Sequence, residues 1–319
     1  MIVCVASPYP LTELKGNSVT TSRIVQLLRE QGIEARGSHG FDGQPADVLI
    51  SLHAVRGAQA IFDFKEKYPE GKAVVLITGT DIYQALPAGS PMGERALEMA
   101  DAIVVVFDRA IQSLPLKWQH KAFVVSTSLS TFDIKATPER PPFAISVVGH
   151  LRPVKRPFLT IEAVARHPAW SGVEVWQIGE ALDEASSAEA KQWEANDPRY
   201  RWFGGLPRED ALRLCARSSL TVNSSVLEGG ANAVLEAMAM GVPVLASLIE
   251  GNLGLLGDDY PGYFEGDMDG ALEMVMSDPG CLTSWVEAAR DRLPLFSRER
   301  EISCWLALLE KLPYLPISP

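Results

Sequence analysis

Cysteine is scarce: there are four in 319 residues, Cys4, Cys215, Cys281 and Cys304, each far from the others and set in apolar surroundings. That excludes a disulfide framework and the close spacings of a zinc or redox centre, and leaves core thiols. No apolar run approaches the roughly 20 residues that span a bilayer. The chain opens as a strand, Met1-Ile-Val-Cys-Val-Ala-Ser7, without a basic leader, so a cytoplasmic location is expected. Basic excess is also lacking. With 29 Lys and Arg against 40 Asp and Glu, the net charge of −11 argues against nucleic acid or an anionic membrane as the main partner, while leaving room for local basic pockets. Neither half begins with Gly-x-Gly-x-x-Gly, which argues against a dinucleotide-dependent dehydrogenase.

The length suits two domains, each able to bury its own core. In the first half, short β runs at 2–6, 46–52, 73–78, 102–107 and 122–125 alternate with helical stretches such as 18–29. This alternation implies an α/β domain with a parallel sheet covered on both faces, in which ligands bind beyond the carboxyl ends of the strands. Residues 130–142 are proline-rich and aperiodic, as a linker should be, and a second alternating run starts with Phe143-Ala-Ile-Ser-Val-Val148. The expected organisation is a first Rossmann-like domain over 1–130, a linker over 131–142 and a second Rossmann-like domain over 143–297. An amphipathic helix closes the chain in 298–319.

The richest stretch runs from Ser224 to Val244. Strand-like segments 220–222 and 242–246 flank it, which makes it the crossover of a βαβ unit. Gly229 and Gly230 free the backbone at the turn, and Gly241 with Pro243 ends the helix. The helix, expected over 231–240, is apolar nearly all round yet carries Glu236, and a buried carboxylate needs donors. Glu228 stands eight residues earlier, at the mouth of the same helix. Between them the N–H groups of Gly229, Gly230 and Ala231, followed by Asn232, offer a place for phosphate oxygens. Carboxylates flanking an anion site suit a ligand with a diphosphate in the middle and hydroxyls at both ends, that is, a nucleotide sugar. Alternatively, Glu236 pairs with a basic residue and Glu228 is solvated.

Other loops follow strands. Lys15-Gly16-Asn17-Ser18 either approaches a ligand or caps the next helix. Ser51-Leu-His53-Ala-Val-Arg56 sets His53 at a strand end with Arg56 behind it; the histidine reads equally as structural or as part of a site. Thr78-Gly-Thr80-Asp81 brings polar groups to the end of a buried strand, although Asp81 could serve only as a cap. Gly149-His-Leu-Arg152-Pro-Val-Lys155 is a basic turn, and the adjacent glycines Gly204 and Gly205 allow close backbone approach. Asn252, in a glycine-rich stretch, either bonds a ligand hydroxyl or stabilises a turn.

Glu-Gly-Gly-Ala-Asn-Ala-Val-Leu-Glu236 followed by Ala-Met-Ala-Met-Gly-Val-Pro-Val resembles the Glu-x7-Glu signature of glycosyltransferase family 4. The resemblance implies the GT-B fold, two Rossmann-like domains with parallel sheets facing across a cleft and a last helix crossing back to the first domain. It implies a donor set of Gly16, Asn17, Gly149, Arg152, Lys155, Gly204, Glu228, Gly229, Gly230, Ala231, Asn232 and Glu236. Glu228 would meet the donor sugar, Glu236 the ribose and Gly204 the base. Gly149-His150-Leu-x-x-x-Lys155 resembles the family's Gly-Arg-Leu-x-x-x-Lys segment, whose cations neutralise the diphosphate. Lys155 matches; His150 stands in the arginine position, and Arg152 or Arg156 would supply the second charge. Asp267-Met-Asp269 resembles the metal-binding Asp-x-Asp of another transferase fold, but it precedes a helical pattern at 271–276 and reads as a cap, so no metal or other cofactor is expected.

Four segments resemble a narrower group. Val-Leu-Ile-Thr-Gly-Thr-Asp-Ile-Tyr83, Val-Val-Gly-His-Leu-Arg152, Pro-Arg-Tyr-Arg-Trp-Phe-Gly-Gly-Leu-Pro207 and the stretch from Gly251 to Phe264 are similar to selenosugar synthases of selenoneine biosynthesis. This resemblance implies transfer of a sugar from UDP-N-acetylglucosamine or UDP-glucose to the selenium of selenophosphate. His53, Lys155 and Glu228 would then be catalytic, with Lys15, Arg23, His53, Arg56, Thr80 and Asp81 on the acceptor side. Two rivals remain: a family 4 transferase acting on a small-molecule or glycan hydroxyl, and a nucleotide-sugar-binding protein without turnover.

Overall fold

The computed structural model describes residues 1–13, 16–129, 132–138 and 141–312. Two compact units emerge: Met1–Ser128 together with the chain from Phe296 onward, and Leu129–Leu295. Each contains a six-stranded, all-parallel sheet, so the α/β architecture with two parallel sheets is present. Among the described residues no helix is long and apolar enough to cross a membrane.

The first unit has strands β1 (Ile2–Ser7), β2 (Glu34–His39), β3 (Val48–Leu52), β4 (Lys72–Leu76), β5 (Ala102–Val105) and β6 (Ala122–Val124), in spatial order β2-β1-β3-β4-β5-β6. Every residue of β3 is buried, the pattern of a strand covered on both faces. One face packs on the helices Ala58–Lys67 and Pro91–Met99 through Ile61, Phe64 and Leu97. The other packs on the helix Gly16–Glu30 through Ile24 and Leu28, and on the last helix, Arg298–Lys311, through Trp305, Leu308 and Leu309. The edge strand β2 has no counterpart in the sequence reading. Its Glu-Ala-Arg-Gly-Ser-His lacks alternating apolar residues, and six residues of parallel pairing to β1 make it a strand.

The second unit has strands β7 (Phe143–Val148), β8 (Val173–Ile178), β9 (Tyr200–Trp202), β10 (Leu220–Asn223), β11 (Val244–Ser247) and β12 (Tyr263–Phe264), in the order β12-β11-β10-β7-β8-β9. The chain runs outward from β7 to β9, then returns to the other side of β7 to lay down β10. In a parallel sheet such a reversal leaves the two following loops diverging, with a crevice between them at the carboxyl ends. The loops after β7 and β10 hold the basic turn and the Glu228 stretch, so the topology makes neighbours of segments about 70 residues apart.

Candidate functional site

Hydrogen bonds staple the two loops. Ser224 Oγ donates to the carbonyls of Lys155 and Arg156, both at 2.9 Å, and Arg156 Nε donates to the Ser224 carbonyl at 2.8 Å. Val226 N–H donates to the Val154 carbonyl at 2.9 Å. The short 3-10 turn Pro153–Lys155 ends with Arg156 at φ 43°, a left-handed conformation that these bonds hold in place. Fixed in this way, Lys155 Nζ pairs with Glu228 Oε1, which also accepts a hydrogen bond from Ser225 Oγ at 2.7 Å. The Glu228 side chain is 11% exposed, and its Oε2 has no partner among the described residues.

Behind Glu228 lies the helix Glu250–Leu256, where the glycine-rich stretch suggested turns. Gly251 explains the contact: a Cβ there would lie 2.2 Å from the Glu228 carbonyl oxygen, so only glycine lets the helix come this close. Asn252 is fully buried, and its Nδ2 donates to the Ser247 carbonyl at 2.9 Å and to Asn223 Oδ1 at 3.2 Å. It ties the ends of β10 and β11 together, the turn-stabilising alternative of the two read from sequence.

The signature helix spans Asn232–Met240, one residue shorter at its start than expected, and Gly241 ends it at φ 81°. Among the described residues the N–H groups of Gly229, Gly230, Ala231, Asn232 and Ala233 make no hydrogen bond, an unsatisfied row that suits phosphate oxygens. Glu236 lies farther along, mostly buried, and Oε1 accepts from Arg208 Nε at 3.0 Å and Nη2 at 2.8 Å. Burial pushes its carboxyl above the usual range, and the guanidinium offsets only part of that. At the ends of β7, β8 and β9, Gly149, Gly179 and Gly204 take φ values of 151°, 155° and 66°. A Cβ on Gly179 would lie 1.9 Å from the Gly149 carbonyl oxygen, so this corner is built from bare backbone. His150 and Arg152 are exposed, and neither forms a hydrogen bond or ion pair through its side chain among the described residues.

In the first unit, Gly16 starts its helix in the open and Asn17 follows half-buried, while Lys15 lies outside the described residues. Ser18 is buried and donates to the Pro10 carbonyl at 3.1 Å. His53 is buried at φ 72°; its Nδ1 accepts from the N–H groups of Val55 and Arg56 at 3.2 Å each, and Nε2 lies 3.0 Å from Thr80 Oγ1. Two donors at Nδ1 assign the proton of the neutral ring to Nε2, which donates to Thr80. Burial pushes the imidazole below its ordinary pKa; Asp81 opposes the shift and Arg56 reinforces it. In this tautomer neither ring nitrogen presents a free lone pair, so His53 is set to donate and to orient the Thr80 hydroxyl rather than to take a proton.

Two residues expected on the acceptor side have their charged groups engaged within the protein. Asp81 is fully buried and takes the N–H groups of Ala54, Thr78 and Ile82 at 2.8, 2.9 and 3.1 Å, together with Thr78 Oγ1 at 3.2 Å. It pins two strand ends and starts the π-helical turn Asp81–Ala85. Arg23 turns inward to Glu301 Oε2 at 2.7 Å and to the Ser128 carbonyl at 2.9 Å. Arg56 stays exposed, with Nη1 2.6 Å from the Tyr9 hydroxyl. Asp267 accepts from Gly270 N–H at 2.9 Å as the cap of Met268–Ser277, and Asp269 pairs with Arg166. Arg208, Ser224, Ser225 and Gly251 are not expected from sequence as functional residues; Ser224, Ser225 and Gly251 lie within the glycine-rich stretches 224–244 and 251–264, whereas no spacing announces Arg208.

The family description "Glycosyl transferases group 1" matches residues 130–291, half of the chain. The lipopolysaccharide core biosynthesis glycosyltransferase LpsE of Rhizobium meliloti is 28% identical over 211 residues, which cover 62% of this chain and 60% of LpsE. The chain thus spans about three fifths of that relative. Among solved structures, the sucrose-phosphate synthase of Thermosynechococcus elongatus superimposes with a TM-score of 0.79 at 13% identity, covering 98% of both chains. Anabaena HepE in complex with UDP gives 0.75 at 16% identity, over 97% of this chain and 100% of HepE. The latter two show a shared fold. With half its length matched by the family description, the chain belongs to the group 1 glycosyl transferases.

Proposed function

We propose that the chain is a cytoplasmic glycosyltransferase that moves a sugar from a UDP-sugar, UDP-N-acetylglucosamine or UDP-glucose, to the selenium of selenophosphate. The observation that carries the donor half is the Lys155–Glu228 pair at the crevice between β7 and β10, beside five unpartnered N–H groups. Lys155, with Arg152 near it in sequence, neutralises the diphosphate in place of a metal. The helix N-terminus receives phosphate oxygens, and the unpartnered Oε2 of Glu228 accepts from a sugar hydroxyl. The complex of HepE with UDP supports uridine as the base. The acceptor half rests on the four segments similar to selenosugar synthases.

In the reaction, selenium attacks the anomeric carbon while the bond from that carbon to the diphosphate oxygen breaks, and the electron pair leaves with UDP. Water then cleaves the Se–P bond, releasing phosphate and the selenosugar. Selenium arrives anionic and polarisable, so no strong base is required, consistent with the occupied Nδ1 of His53.

Mass spectrometry of a reaction with UDP-sugar, with and without selenophosphate generated in place, tests this. A selenium isotope pattern on a hexose, with matching UDP release, is the expected result. Turnover on saccharides without selenophosphate would overturn the acceptor and favour the second reading, an O-glycosyltransferase, which the identity with LpsE supports. UDP-sugar binding without product from any acceptor would leave a binding protein.

A further inference from the structure

Arg208 occupies an unusual position. It opens the helix Arg208–Arg217 directly after the Gly204–Pro207 loop, and it reaches across to Glu236 on the signature helix. Both guanidinium donors land on one oxygen, Oε1, and Oε2 has no partner among the described residues. A carboxylate gripped by two donors on a single oxygen cannot turn freely about its last torsion, so the second oxygen is held as an acceptor for something else. The exposures are lopsided: the Glu236 side chain is 17% exposed and that of Arg208 48%. The guanidinium also lies over the Phe132 ring, 5.6 Å from its centroid, which braces it from the segment that leads into this unit.

We propose that Arg208 is a positioning residue for the donor nucleotide: it holds Glu236 so that Oε2 accepts the ribose hydroxyls, and it joins that carboxylate to the loop beside the base. This rests on the reading of Glu236 as the ribose ligand. A plain surface ion pair would contribute little and would leave nucleotide selectivity untouched. A positioning pair instead acts specifically on the ribose hydroxyls. When Arg208 is lost, Glu236 keeps its burial but loses the partner that offsets it, and both its orientation and its charge are weakened.

The test is calorimetric binding of UDP and of 2′,3′-dideoxy-UDP to the full chain, as wild type, Arg208→Ala, Arg208→Lys and Glu236→Gln. Wild type is expected to prefer UDP; Glu236→Gln should erase that preference, Arg208→Ala should reduce it by about tenfold, and Arg208→Lys should recover part of it. Dideoxy-UDP should bind wild type and Arg208→Ala alike. If Arg208→Ala weakens both ligands equally, or keeps the full preference while Glu236→Gln loses it, positioning is overturned and the ribose reading survives. If Glu236→Gln keeps the wild-type preference, the ribose reading fails and the proposal fails with it. Thermal unfolding of each variant identifies any that misfold; for those, Phe132→Leu removes the brace while keeping the guanidinium and should lower the same preference in the same direction, an unchanged preference again overturning the proposal.

Discussion

Replacing Arg23 with alanine should destabilise the first unit by a large fraction of its stability without changing acceptor binding. Glu301, 2% exposed, takes Arg23 Nη1 and Ser128 N–H on Oε2, both at 2.7 Å, and Trp305 Nε1 on Oε1 at 3.3 Å. Without the guanidinium, a buried carboxylate keeps two neutral donors and no counter-charge, and the Ser128 carbonyl loses a donor. Stranding one partner of a buried pair costs about 3–5 kcal/mol. Against a domain stability of about 5–15 kcal/mol, that is a large fraction. Removing both charges with Arg23→Met and Glu301→Leu should cost less than the sum of the two single changes, because no buried charge is left unpaired, although the Ser128 N–H, its carbonyl and Trp305 Nε1 then lose their partners. Hydrogen exchange over Arg298–Lys311 is the assay, because that helix packs on the first sheet through Trp305, Leu308 and Leu309. Arg23→Ala should speed exchange there by about 100-fold or more. Acceptor KM, measured cold where the protein is folded, should not change. Unchanged protection with a raised acceptor KM would refute the reasoning and return Arg23 to the acceptor site.

Lys155→Met and Glu228→Gln should each lower transfer by about 10²–10³-fold in steady-state kinetics, because both would act on the leaving diphosphate and its sugar; near-normal turnover in both would sink the donor site. Gly251→Ala forces a Cβ to 2.2 Å from the Glu228 carbonyl and should lower turnover by about 10²-fold while UDP release and sugar transfer stay coupled. His53→Asn, which tolerates the positive φ, should leave the shape of the pH profile of kcat/KM unchanged between about pH 6 and 8; disappearance of a limb would restore His53 as a base. The Arg199 guanidinium and N–H hold the Asp197 carboxyl below its usual range, against the opposing effect of burial. A depressed folded pKa means that this stability is fully present above about pH 4 and is lost as pH falls through the folded value. Asp197→Asn should therefore remove part of the acid sensitivity of urea unfolding, and an unchanged pH slope would contradict the assignment.

Much of this chain is legible without coordinates, for a local reason. Parallel strands buried on both faces are written as mostly apolar runs, so Phe143–Val148, interrupted only by Ser146, can be read to the residue, and Val173–Ile178 is recognisable despite Glu174 and Gln177. The glycines and carboxylates of the signature lie within one crossover, where spacing alone sets their order along a helix. What failed was non-local. The edge strand β2 has no apolar alternation and exists because β1 offers it a ladder. His53 and Asp81 follow strand ends and Arg23 lies in the middle of the helix Gly16–Glu30, and sequence does not say which groups each of them meets. Backbone donors, the Thr80 hydroxyl and Glu301 account for all three.

The sequence by itself determined the alternation of strands and helices and the glycine turn before Asn232–Met240, since both follow from the periodicity and backbone freedom of neighbouring residues. Only the tertiary structure decided which charges meet. Lys155 finds Glu228 because the strand order reverses between β7 and β10, and Arg208 finds Glu236 because two helices 28 residues apart at those positions pack side by side. Pairing between side chains depends on distances that the order of residues along a chain does not contain, and the burial that strengthens each pair arises only when the sheets and helices close around it.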